Sequence, residues 1–166
     1  MNSTEIQTLY EFDRWATLRT IESVAALTED QRQEDLLTSF GGIHGALVHL
    51  LSADRVWLDR WRGMTPVPLK PEDVPSLESI KKFWDACFLE MGNFLRTLTD
   101  EMLAAPLEYS DFRGNRNSQP LVEQMLHKVN HATYHRGQIA SMVRQQGGKP
   151  IGTDLITFYR QQEQNG

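Results

Sequence analysis

The stretch PLVEQMLHKVNHATYHRGQIASMVRQQGG, from Pro120 to Gly148, decides the fold. Leu121, Met125, Val129, Ala132, Arg136, Ile139, Ala140 and Val143 recur at three- and four-residue steps, the spacing of one face of a helix. Pro120 suits a helix start, where a missing N–H costs nothing, and Gly147-Gly148 are well placed to stop the pattern. A long helix with one apolar stripe has to bury that stripe against similar partners.

Three partners precede it. Ile6, Leu9, Asp13, Ala16, Thr20, Val24 and Leu27 predict a first helix from about Thr4 to Leu27, with Ser3 as its N-cap, followed by a polar interruption at Thr28–Gln33. Gly41-Gly42 introduce a second pattern, Ile43, Leu47, Leu50, Asp54, Trp57 and Trp61, ending near Gly63. Pro66, Pro68, Pro71 and Pro75 make Met64–Pro75 an extended connection. Ser76 then opens a third helix through Ile80, Phe83, Trp84, Cys87, Phe88, Met91, Phe94, Leu95 and Leu98 to about Leu103. Pro106–Gln119 reads as a long loop or a small hairpin, and a short last helix is expected after Thr153.

The expected class is therefore all-α: a four-helix bundle over residues 1–166 as a single domain, with long crossover connections and a short C-terminal helix. The chain has 40% hydrophobic and 23% charged residues, the balance of a globular protein. A net charge of −5 without basic clustering argues against nucleic acid and anionic membrane as partners. Neither an export signal nor a membrane-length apolar run is visible, and Cys87 is the only cysteine, so the cytoplasm is the expected compartment.

All five histidines fall in the second and fourth helices. His131 and His135 lie one turn apart on one face and can point at one ion, while His127 drifts further round the wheel. Such a pair at the border of the apolar stripe would sit in a cleft, where an ion stays reachable. A third ligand must come from the second helix. Ala46 and Ala53 leave room beside His49, whereas Leu47, Val48 and Leu51 surround His44, so His49 is favoured with His44 in reserve. Taken alone, a helical His-x-x-x-His is more often a surface or hydrogen-bonded pair.

Three segments carry a resemblance: His49-Leu-Leu-Ser-Ala-Asp54-Arg55-Val-Trp57, then His131-Ala-Thr-Tyr-His135-Arg136-Gly137-Gln138, then Thr153-Asp154-Leu-Ile. In order and spacing the chain resembles the DinB/YfiT-like metalloprotein family, not the DNA polymerase of similar name. That resemblance implies an up-down-down-up four-helix bundle, a homodimer, and a divalent metal, nickel or zinc, held by His49, His131 and His135. Many relatives carry a second histidine where this chain has Tyr134, which is not a ligand position. Relatives are linked to damage-inducible expression, and some resemble thiol transferases, implying a low-molecular-weight thiol as small-molecule substrate.

Other residues carry lesser expectations. Arg136 lies in the apolar stripe, and Asp13 and Asp54 occupy core positions, which predicts a buried pair of Arg136 with one of them. Gly137 in mid-helix points to close approach of a neighbouring helix. Lys128 and Gln138 share the face of His131 and His135; exposed helix polarity is the expectation, with contact to ligands or substrate the alternative. Cys87 is expected to be buried and inert, and Trp15, Trp57, Trp61 and Trp84 to be packing residues. Three neutral imidazoles would leave a bound ion its +2 charge, able to activate water for hydrolysis or a thiolate for transfer; a non-catalytic metal protein is the other reading. Glu123, the one carboxylate of the fourth helix, lies too far along to assist.

Overall fold

The computed structural model describes residues 1–165. Four long helices carry the fold: α1 (Ser3–Ala25), α3 (Ile43–Trp61), α4 (Leu77–Leu95) and α6 (Leu121–Gln145). Short helices α2 (Glu29–Gln33) and α5 (Asp100–Ala104) follow α1 and α4, and α7 (Leu155–Asn165) closes the described chain. α1 packs on α6, α6 on α3, α3 on α4 and α4 on α1, so each long helix lies between two others. No described helix is long and apolar enough to cross a membrane.

Capping chemistry sets several boundaries. Asn2, not Ser3, caps α1: its side chain accepts from the Glu5 N–H while Glu5 reaches back to the Asn2 N–H. The polar interruption at Thr28–Gln33 is itself helical, because Thr28 and Gln31 form a second reciprocal cap. The third long helix stops at Leu95 rather than Leu103. Thr97 bonds back to the Phe94 carbonyl, and Thr99 caps α5 by accepting from the Met102 N–H, so hydroxyls that compete for backbone groups split one apolar run into two helices. The Pro-rich connection holds one 3₁₀ turn at Pro71–Asp73.

The expectation of an all-α chain needs one correction. Residues 106–120 form a hairpin, β1 (Pro106–Ser110) paired antiparallel with β2 (Arg116–Pro120), Pro106 opposite Pro120. Asp111 closes its turn, accepting from the N–H groups of Arg113 and Asn115. Buried Gln124 fastens the hairpin to α6, donating to the carbonyls of Leu107 (2.8 Å) and Gln119 (2.9 Å).

The core has two apolar clusters. One gathers Ile21, Ile43, Leu47, Leu51, Trp84 and Ile139; the other gathers Ile6, Tyr10, Phe12, Trp61, Met125 and Phe158. Between them lie four charged side chains, each at most 4% exposed: Asp13, Asp54, Lys128 and Arg136. The Arg136 guanidinium meets Asp13 at 2.6 Å, while Lys128 bridges Asp13 (2.5 Å) and Asp54. The predicted partner of Arg136 is thus Asp13. Lys128, expected as exposed polarity, is buried instead; its long stem carries the ammonium inward to carboxylates on two other helices.

Electrostatics separates the two carboxylates. Burial favours a neutral Asp13, yet Lys128 and Arg136 together hold its pKa below the ordinary range. Asp54, with Lys128 as its partner and the Asp13 charge nearby, is pushed up to about 6 by burial. For Lys128, burial opposes the charge, but the two carboxylates prevail and raise its pKa.

Gly137 does not mark a helix contact. It is exposed, and a β-carbon there would meet nothing within 4 Å. Gly137→Ala should therefore stabilise the fold by about 1 kcal/mol through helix propensity alone; an unchanged or lowered urea midpoint would contradict this. Cys87 is buried with its thiol pushed up to about 12 by burial, and Trp57, Trp61 and Trp84 are core residues. Trp15 is half-buried against Phe158.

Candidate metal centre

Three imidazoles meet in the seam between α3 and α6. His49 comes from α3, and His131 and His135 come from successive turns of α6. His131 Nε2 lies 3.2 Å from His49 Nε2 and 3.1 Å from His135 Nε2, and a ligating atom from each ring lies within 4.8 Å of the others. An ion held tetrahedrally at the usual zinc–nitrogen distance of about 2.0–2.1 Å separates its ligand nitrogens by roughly 3.3 Å. The two closest separations are near that edge length.

The ring orientations favour ligation through Nε2. The Gln138 side-chain oxygen lies 2.7 Å from His135 Nδ1, and because that oxygen only accepts, the proton resides on Nδ1 and the Nε2 lone pair is free. Gln138 is therefore a partner of a site histidine, the alternative its helical position left open. His131 Nδ1 is buried without a partner. Burial, with the neighbouring imidazoles adding to it, pushes His49 and His131 down to about 4, so both are neutral near pH 7.

This depression has a pH consequence. Unfolded, these histidines take up protons below about 6.5; folded, they do so only near 4, so stability of the metal-free protein should be complete above 6.5 and fall as pH drops from 6.5 toward 4. Urea midpoints of chelator-treated protein at pH 7.5, 6 and 5 check this. His131→Ala should flatten the trend.

Phe40 covers the cluster. Its ring stacks on His49 with centroids 4.3 Å apart and meets His135 edge-on at 5.2 Å. The segment between α2 and α3 can carry it there because Gly45 lacks a side chain: a β-carbon on Gly45 would fall 2.0 Å from the Phe40 carbonyl oxygen. Gly45→Ala should cost about 1–3 kcal/mol by overpacking and displace Phe40 from His49. A loss of stability without change in the His49 ring environment, read by NMR, would contradict the second part. Sequence reasoning missed Phe40; the one signal was the Gly41-Gly42 pair just beyond it, which reads only as a helix start.

The other histidines lie outside the cluster. His44, in the first turn of α3, is buried. His127 is exposed, 6.0 Å from the His131 ring and edge-on to Trp57. With Trp57, Tyr109 and Glu123 it lines a cleft of about 260 Å³, to which none of the three clustered histidines contributes. Phe40 and Gln138, which contact His49 and His135, line a second cleft of about 360 Å³ with Ser141 and Met142. Among the described residues, the group of ligand atoms within 4.8 Å consists of the three histidines alone.

The family model for the DinB family matches residues 1–166. The chain belongs to the DinB family. It is similar to the protein DinB of Bacillus subtilis (strain 168), at 26% identity over 156 residues covering 88% of each chain. In fold, this DinB-family chain is similar to the crystal structure of a DinB-like protein from Bacillus cereus ATCC 10987, with a TM-score of 0.62 at 18% identity. That match covers 87% of this chain and 94% of the other. The donor set of three imidazoles fits a borderline divalent ion such as zinc or nickel.

Proposed function

We propose that this DinB-family protein binds one divalent metal ion, zinc or nickel, through His49, His131 and His135, and uses it as a metal-dependent enzyme of the thiol-transfer type. The observation that carries this reading is the convergence of three imidazoles within 4.8 Å, with the His131 Nε2 at near-tetrahedral spacing from the other two and the Gln138 side-chain oxygen on His135 Nδ1. When bound, the ion supplies Lewis acidity that lowers the pKa of a water or thiol in its remaining coordination position. Phe40 stacks over His49 on one flank, and the cleft that Phe40 and Gln138 help to line gives a small molecule room next to those two residues. A low-molecular-weight thiol is the preferred substrate over hydrolysis, because among the described residues the three-histidine group includes no carboxylate to act as general base. The same reading takes the four long helices as an up-down-down-up bundle and the protein as a damage-inducible cytoplasmic homodimer.

Elemental analysis of purified wild type and His135→Ala tests the site, with about one metal per chain expected in the first and none in the second. Cobalt substitution tests the chemistry. A sulfur-to-cobalt charge-transfer band on adding a small thiol supports transfer; its absence, with hydrolysis of test esters, would move the assignment to a hydrolase. Metal bound without response to thiol or ester would leave a non-catalytic metal protein.

A further inference from the structure

The seam between α1 and α4 lies across the core from the histidines and holds a cavity of about 250 Å³. It shares no lining residue with the three-histidine group. Its floor is Asp13, Asp54 and Lys128, three charged side chains at 1%, 4% and 2% exposure. Its walls are apolar, chiefly Phe88, Met91 and Leu95. Charged groups this deep are costly to bury, and each needs a counter-charge or a polar neighbour in the space it faces.

The counter-charges are shared unevenly. Asp13 takes both the Arg136 guanidinium and the Lys128 ammonium, whereas Lys128 is the ion-pair partner of Asp54 and is divided with Asp13. Asp54 is thus the under-compensated carboxylate, and it lines the cavity. An anion entering would face two carboxylates around an ammonium already committed to both. An uncharged apolar molecule would strip water from the floor and return no hydrogen bond. A positively charged donor group would give Asp54 a second counter-charge, the number Asp13 already has, against the repulsion of the Lys128 ammonium on the same floor. At the mouth the arginines are engaged, Arg14 over the Phe88 ring at 5.7 Å and Arg96 with the Asn93 side chain, while Glu11 offers a compensating charge.

We propose that this cavity is a second ligand site, separate from the histidine cluster, for a small organic cation: a primary ammonium on an apolar stem, with the ammonium against Asp54 and the stem against Met91 and Leu95. The occupant combines hydrogen-bond donors at one end with an apolar body, which matches the division between floor and walls.

Hexylammonium, hexanol and hexanoate, isosteric in the stem and different in charge, are titrated against the intact protein by calorimetry and thermal shift. Hexylammonium should bind saturably and at least about tenfold more tightly than the other two, a difference of about 1.4 kcal/mol. Gly92→Leu provides a blocking variant, since Gly92 lines the cavity and a β-carbon there meets nothing closer than Arg96 Nη1 at 3.7 Å. It should stay folded, with an unchanged or higher melting temperature, and lose hexylammonium binding. Asp54→Asn should weaken hexylammonium about tenfold and spare hexanol. Equal binding of all three probes, no saturable hexylammonium binding, or full binding in Gly92→Leu would overturn the proposal. So would loss of binding in His135→Ala, which would place the ligand at the histidines.

Discussion

Asp13→Ala is expected to lower the unfolding free energy by about 3–5 kcal/mol, the usual cost of stranding a buried charge. For a chain of this size that corresponds to a fall in melting temperature of roughly 10 °C. Asp13 is the carboxylate paired with both cations, and its removal leaves the Arg136 guanidinium, 2% exposed, with neutral partners alone: the Thr17 and Thr133 hydroxyls and the backbone carbonyl of residue 13. Asp54→Asn should cost far less, about 1 kcal/mol or below. Lys128 keeps Asp13 in that variant, and a carboxyl already pushed up to about 6 loses little by becoming an amide. Urea denaturation of the two variants at pH 7.5 decides the ranking. Equal losses, or a larger loss for Asp54→Asn, would show that the ion pairs are not partitioned as the geometry divides them.

His131→Ala should reduce zinc or nickel affinity by more than about a hundredfold, exceeding the 10- to 100-fold effects typical of residues that merely orient a ligand. His131 is the central imidazole, within 3.2 Å of both other Nε2 atoms. The same variant should leave the metal-free protein as stable as wild type or more so. Without an ion, three Nε2 atoms face one another and one proton cannot serve both contacts to His131, whose Nδ1 is also buried without a partner. Opposite signs for metal affinity and metal-free stability distinguish a ligand from a packing residue. A large loss of metal-free stability would assign His131 a structural role.

The long helices were legible because their apolar periodicity is long and uninterrupted, and the histidines because α6 repeats them at one-turn intervals. What the sequence hides has definite causes. The break between α4 and α5 depends on hydroxyls of Thr97 and Thr99 choosing backbone partners, a competition that leaves the apolar spacing through Leu98 intact. Lys128 reads as surface polarity because a periodicity plot registers the Cα position and not the reach of a four-carbon stem. Gly137 reads as a packing glycine, but nothing approaches it. Phe40 has no periodic signature, since it lies on an irregular segment brought to the site by the bare backbone of Gly45.

The charged layer between the two apolar clusters also acts as a ruler. Apolar faces alone tolerate longitudinal slippage, since a helix displaced by one turn, about 5.4 Å, still presents leucines and isoleucines to its neighbours. Here α1, α3 and α6 each contribute charge at a single level of the core. Sliding any one of them by a turn would strand a carboxylate and a cation among hydrocarbon. The alignment of α3 with α6 sets the height of His49 relative to His131 and His135, so the axial precision of the histidine cluster is inherited from salt bridges that never touch it.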